Sequence, residues 1–125
     1  MPTRVEHPET GIFVAEWSDP LTLDDMQWQS DHVLGIVDRE GIKSFVVILD
    51  MAHCSRIPFD FDNIKQLASS DPRILGYVIL QINTVTKMMI RLLSALTHQK
   101  YRPVDTMDEA FNAAREMLAE HMPSR

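Results

Sequence analysis

Few residues in this chain have the types and spacing that chemistry asks for. His53 and Cys54 stand next to each other and raise a Cys/His nucleophilic pair. Adjacent residues of an extended segment point to opposite sides, so the pair is not expected to reach hydrogen-bonding distance. A small apolar Cys at a strand end is the expected role. The five histidines (His7, His32, His53, His98, His121) show no metal-ligand spacing. Asp24, Asp25 and Asp31 lie near His32 in sequence but do not share one helical face with it, so no metal site is expected. The four glycines form neither GxGxxG nor a P-loop, which excludes nucleotide sites of those types. No cofactor and no catalytic residue are expected, and the chain reads as a non-enzyme.

Totals narrow the class. At 125 residues and 45% apolar content, one domain (1–125) with a real core is expected. One cysteine and a polar N-terminus without an apolar leader fit a cytoplasmic protein. The apolar runs are too short for a membrane span. A net charge of −6 argues against nucleic acid as the main partner. The charge is segregated: from Pro72 to Val104 there is no acidic residue, while Arg73, Lys87, Arg91, Lys100 and Arg102 are basic. A basic patch (Lys87, Arg91, Lys100, Arg102) on a negative body is therefore expected, with solvated outer-face charges as its plain account.

The elements follow from periodicity. Arg4–Glu6 reads as a short strand, 7–11 as a Pro/Gly turn and Ile12–Trp17 as the second strand of an antiparallel hairpin. Thr22 and Asp25 form a capping box, with Leu21 and Met26 as a hydrophobic staple. They open a helix that buries Met26, Val33 and Val37 and stops at Gly41. Phe45–Leu49 is a strand buried on both faces. A loop over 51–59 follows, then a helix from about Asp60 to Ser70. Ile74–Ile82 is another interior strand. Val85, Met88, Met89, Leu92, Leu93 and Leu96 stripe a third helix. Tyr101–Asp105, with Pro103, suits a sheet edge. Thr106 and Glu109 cap a last helix burying Met107, Ala110, Phe111, Ala114, Met117 and Leu118. The order β-β-α-β-α-β-α-β-α implies an α/β fold: a mixed sheet of about five strands, later strands parallel, with four helices.

This order, with the strand VVILDM (46–51), the helix start after the loop, and YRPVDTMDEAFNAA (101–114), resembles the STAS-like domains of bacterial anti-sigma-factor antagonists (SpoIIAA-like), especially small stand-alone members. The resemblance implies a regulatory protein–protein interaction module. In regulatory members an Asp-Ser-Ser-Gly motif opens the helix after the central strand, and its second Ser is phosphorylated. Counting from Asp50, the matching residues here are Pro58, Phe59, Asp60 and Phe61, with no hydroxyl; the nearest is Ser55, outside the motif. Asp60 is read either as a fixed carboxylate in place of a phosphorylatable Ser or as a helix N-cap.

Ligands of open α/β sheets gather at strand carboxyl ends. The expected contact residues are therefore Met51, Arg56, Phe59, Asp60 and Phe61, facing a protein partner, a second copy in a homodimer included. The alternative is a small anionic or amphipathic ligand held between the basic stretch and the strand ends.

Overall fold

The structure, a computed structural model, describes residues 3–54, 71–80 and 100–121. Five strands form one sheet: β1 (Thr3–Glu9), β2 (Ile12–Ser18), β3 (Phe45–His53), β4 (Ile74–Leu80) and β5 (Lys100–Val104). The helices among the described residues are α1 (Leu23–Glu40) and α2 (Met107–His121). Spatial order equals chain order, with β1 antiparallel to β2 and β2 through β5 parallel. This is the expected mixed α/β sheet. The helices expected over 60–70 and from 83 onward lie outside the described residues.

Two strands run further than their sequence signals. β1 continues through His7 and Pro8 to Glu9, where a turn was expected. Pro8 lacks the N–H that an interior ladder needs, but β1 is an edge strand, where that loss is tolerated. The register shifts between Glu6 and Glu9, which accommodates the irregularity. β3 likewise extends past Leu49 to His53, so the first three residues of the expected loop are strand.

The turn from β1 to β2 depends on Gly11, whose φ is +83°. A Cβ there would lie 3.2 Å from the Ser44 carbonyl oxygen, and the Gly11 carbonyl accepts from the Val46 N–H at 2.8 Å. Glycine allows both the positive φ and the close approach to the chain entering β3.

Helix α1 forms where its caps are. The Thr22 hydroxyl accepts from the Asp25 N–H at 3.2 Å, and the Asp25 carboxylate accepts from the Thr22 N–H at 2.9 Å. Leu21 and Met26 are both buried, as the staple requires. At the far end Gly41 (φ +65°) takes the left-handed position, and the Ile42 N–H closes on the Val37 carbonyl at 3.0 Å. At the start of α2 the Glu109 N–H donates to the Thr106 hydroxyl at 3.1 Å, and that hydroxyl lies 3.2 Å from the Glu109 carboxylate.

Alternate strand residues point to opposite faces. Phe13, Ala15 and Trp17 of β2, with Phe45, Val47, Leu49 and Met51 of β3, pack with Met26, Val33 and Val37 of α1. Ile12, Val14, Val46, Ile48 and Val78 pack with Ala110, Ala113, Ala114 and Met117 of α2. The helices therefore cover opposite faces, and the core has two layers.

Candidate functional site: the carboxyl edge of the sheet

The parallel strands β2 and β3 end side by side. Ser18 pairs with His53, and the Asp19 N–H donates to the His53 carbonyl at 3.1 Å. This bond ties the turn leading into α1 to the last residue of β3. The register shifts between Glu16 and Ser18, so Met51 and Ala52 of β3 both fall opposite Trp17. A bulge of this kind at a strand end re-aims the side chains around it.

At the bulge the alternation of β3 breaks, with two exposed residues between two buried ones. Met51 is only 4% exposed and Cys54 is buried, both in the α1-side cluster, whereas Ala52 and His53 are exposed. The Asp50 carboxylate accepts from the Ala52 N–H at 3.1 Å, a local bond that shapes the departing chain. Met51, expected at a partner surface, is instead core: it sits on the same face as Phe45, Val47 and Leu49, the odd positions directed at α1. His53 is exposed and Cys54 is buried, the Cys54 N–H turning back to the Met51 carbonyl at 3.2 Å. The other expected contacts, Arg56, Phe59, Asp60 and Phe61, lie outside the described residues.

On the α2 side of this edge, Glu16 and Asp50 are direct cross-strand neighbours, both half-buried. Among the described residues no three His, Cys, Asp or Glu side chains group closely enough to hold a metal ion.

The basic stretch is partly neutralised by pairing. Arg73 donates to Asp38 of α1 at 2.7 Å and grips Asp71 through Nε at 3.0 Å and Nη2 at 2.7 Å. Hydrogen bonding to Arg73 holds the Asp71 carboxyl below its usual range. Arg102 pairs with Glu116 of α2 at 2.7 Å, so this member of the expected basic patch is not a bare charge. Lys87, Arg91 and the Lys100 side chain lie outside the described residues. On the neighbouring α2 flank, Arg115 holds Glu9 at 2.7 Å and lies over the Phe111 ring. That hydrogen bond lowers the Glu9 carboxyl.

Two features escaped the pattern reading. Gln29 is 7% exposed, and the Trp17 indole N–H donates to its side-chain oxygen inside the α1-side layer. Its spacing was a signal: three after Met26 and four before Val33, it lies on the apolar stripe. On the outer face of α1, Trp28 stacks on His32, ring centroids 5.0 Å apart and planes 15° from parallel. The spacing of four that makes them helical neighbours is visible in the sequence.

No helix among the described residues is long and apolar enough to cross a membrane. No family model matches the chain, and no curated protein matches it. Among solved structures, the chain is similar to the protein TM1081, determined by NMR. The TM-score is 0.59 at 15% identity, over 91% of this chain and 87% of that one. At this identity the likeness shows the fold alone.

Proposed function

We propose that this chain is a non-enzymatic, regulatory protein–protein interaction module. It is read as a STAS-like (SpoIIAA-like) domain with two further helices, over about 60–70 and from 83 onward, completing the β-β-α-β-α-β-α-β-α order. It meets a protein partner through residues 52–61, in a cytoplasmic setting. The supporting observation is the end of β3. Met51 and Cys54 are anchored in the core, and between them Ala52 and His53 are presented to solvent beside the start of α1. The chain continues from this anchored strand end toward Pro58–Phe61, the residues that match the position of the resembling family's motif. A segment launched from a fixed strand end has less freedom to lose on binding. The ligand-binding alternative draws less support, because Arg73 and Arg102 already have carboxylate partners.

The test is site-specific photocrosslinking in cells of the source organism, with the probe at His53 or at Arg56 and a control probe at Glu116 on α2. The expected result is one discrete protein adduct from both edge positions, absent from the control and lost in Phe59→Ala. Adducts of equal yield from Glu116, or none from either edge position, would sink the reading. Asp60→Asn refines it. A plain helix cap leaves both stability and adduct yield near wild type, since Asn caps as well as Asp. A well-folded variant that loses the adduct makes Asp60 a charge the partner reads.

A further inference from the structure

The outer face of α1 carries a second surface, separate in sequence from residues 52–61. Trp28, at 36% exposure, is the large apolar side chain left open among the described residues. Its stack on His32 holds the indole plane in place, so a partner meets a pre-set ring. His32 occupies one side of that ring. Asp24 lies four residues before Trp28, one helical turn back on the same side of α1. Asp31 follows Trp28 by three residues, also a helical neighbour, and both Asp24 and Asp31 are exposed.

The charges here are uncommitted in a way that others on the helix are not. α1 carries five acidic residues and one arginine, out of a whole-chain net charge of −6. Asp25 is engaged in the cap, Asp38 by Arg73, and Glu40 by His7 at 3.6 Å. Asp31 accepts only from the uncharged Gln27 amide, at 2.9 Å, and Asp24 has no ion-pair partner among the described residues. Beside the stack, Gly35 is exposed, and a Cβ added to it would meet nothing within 4 Å. Glycine inside a helix weakens it, and no neighbouring side chain requires it at this position. Its bare backbone leaves room for another chain to come close.

We infer that this face of α1 docks an arginine-bearing basic segment of another protein, the guanidinium lying over the Trp28 indole between Asp24 and Asp31. A planar cation suits that slot because it stacks on the ring and hydrogen-bonds carboxylates at its edge. The occupant is a separate protein rather than a second copy. A second copy would bring its own net charge of −6 to this acidic face, which opposes that pairing.

The experiment titrates the isotope-labelled full chain with a synthetic peptide of alternating arginine and glycine, followed by NMR. The lysine–glycine and glutamate–glycine peptides of equal length run in parallel. The arginine peptide is expected to shift the Trp28 indole N–H signal, assigned by its loss in Trp28→Phe, with little movement of the buried Trp17 signal. Trp28→Ala is expected to weaken binding roughly five- to thirty-fold, the span of a cation–π contact from partly to well desolvated. Asp24→Asn with Asp31→Asn is expected to weaken it comparably, while Asp108→Asn on α2 leaves it unchanged. Gly35→Leu is expected to abolish binding without lowering the melting temperature, which a purely structural glycine would not do. Three results would overturn the inference: Trp28→Ala binding like wild type, the lysine peptide binding as tightly as the arginine one, or a sedimenting dimer that Trp28→Ala dissolves. The last would make a second copy the occupant.

Discussion

The two faces of the sheet are built differently. Against α2 the buried residues are aliphatic, and the helix contributes Ala110, Ala113 and Ala114, small side chains that let its backbone approach the strands closely. Against α1 the layer holds aromatic rings and polar groups. Phe13 meets Phe45 edge-on at 5.7 Å and stacks on His7 at 4.3 Å, and Trp17 is bonded to buried Gln29. The His7 Nε2 is buried with no hydrogen-bond partner among the described residues. On the same face Tyr77 stacks on Tyr101 at 5.3 Å, and burial pushes the Tyr77 phenol upward. An aliphatic layer is held by shape and area alone, whereas a buried hydrogen bond also penalises every arrangement that breaks it. The α2 side therefore serves mainly as mass for stability. The α1 side carries directional contacts, and the surfaces assigned to binding adjoin it.

The comparison can be tested by substitution, and the largest effect is expected in the aromatic layer. Phe13→Ala is expected to lower unfolding free energy by about 3–5 kcal/mol in urea titration, because a fully buried ring leaves a cavity that the sheet cannot close. A loss below about 1 kcal/mol would mean that this layer is loosely packed.

Overpacking the other face comes next. Ala114→Leu adds bulk where no exposed surface remains and is expected to cost about 1–3 kcal/mol. The fluorescence of Trp17 should not change, since that ring lies across the sheet. A tolerated leucine would contradict close approach of α2.

Gln29→Leu is expected to cost about 1–2 kcal/mol, since it leaves the buried Trp17 N–H without its acceptor. The loss should come with a shifted Trp17 indole proton resonance. A stabilised variant would show that the pair does not contribute to holding the α1 side in register.

The smallest effect is electrostatic. Asp71 has a lowered carboxyl pKa through Arg73, so its contribution is complete above the unfolded-state value, near 4, and fades as pH falls toward the folded value. Arg73→Gln is expected to flatten that part of the acid limb in a plot of urea midpoint against pH. An unchanged limb would mean that Asp71 titrates normally.

Much of this architecture is local and was readable. The caps of both helices, the apolar strands and the α2 stripe depend on residues within a few positions of one another. The α1 boundaries follow from Thr22, Asp25 and Gly41 for the same reason. Met51 was misplaced because an apolar residue at a strand end can face core or solvent. Only the continuation of β3 to His53 settles its parity with Phe45, Val47 and Leu49. Pro8 was read as a turn because its ring removes a ladder donor. That matters only for an interior strand, and position in a sheet is not a local property.

By itself, then, the amino-acid order determined the five strands and the two described helices, where α1 and α2 begin, and that the sheet is mixed. These depend on backbone preference and on the period of apolar residues, which act between near neighbours. Tertiary structure alone decided the fate of the charges and of the polar residues on apolar stripes. The segment from Pro72 to Val104 is free of acids, yet Arg73 finds Asp38 from 35 residues away and Arg102 finds Glu116 from 14. Charge pairing is set by distance in space, and a sequence specifies that distance only after the sheet has brought its helices together.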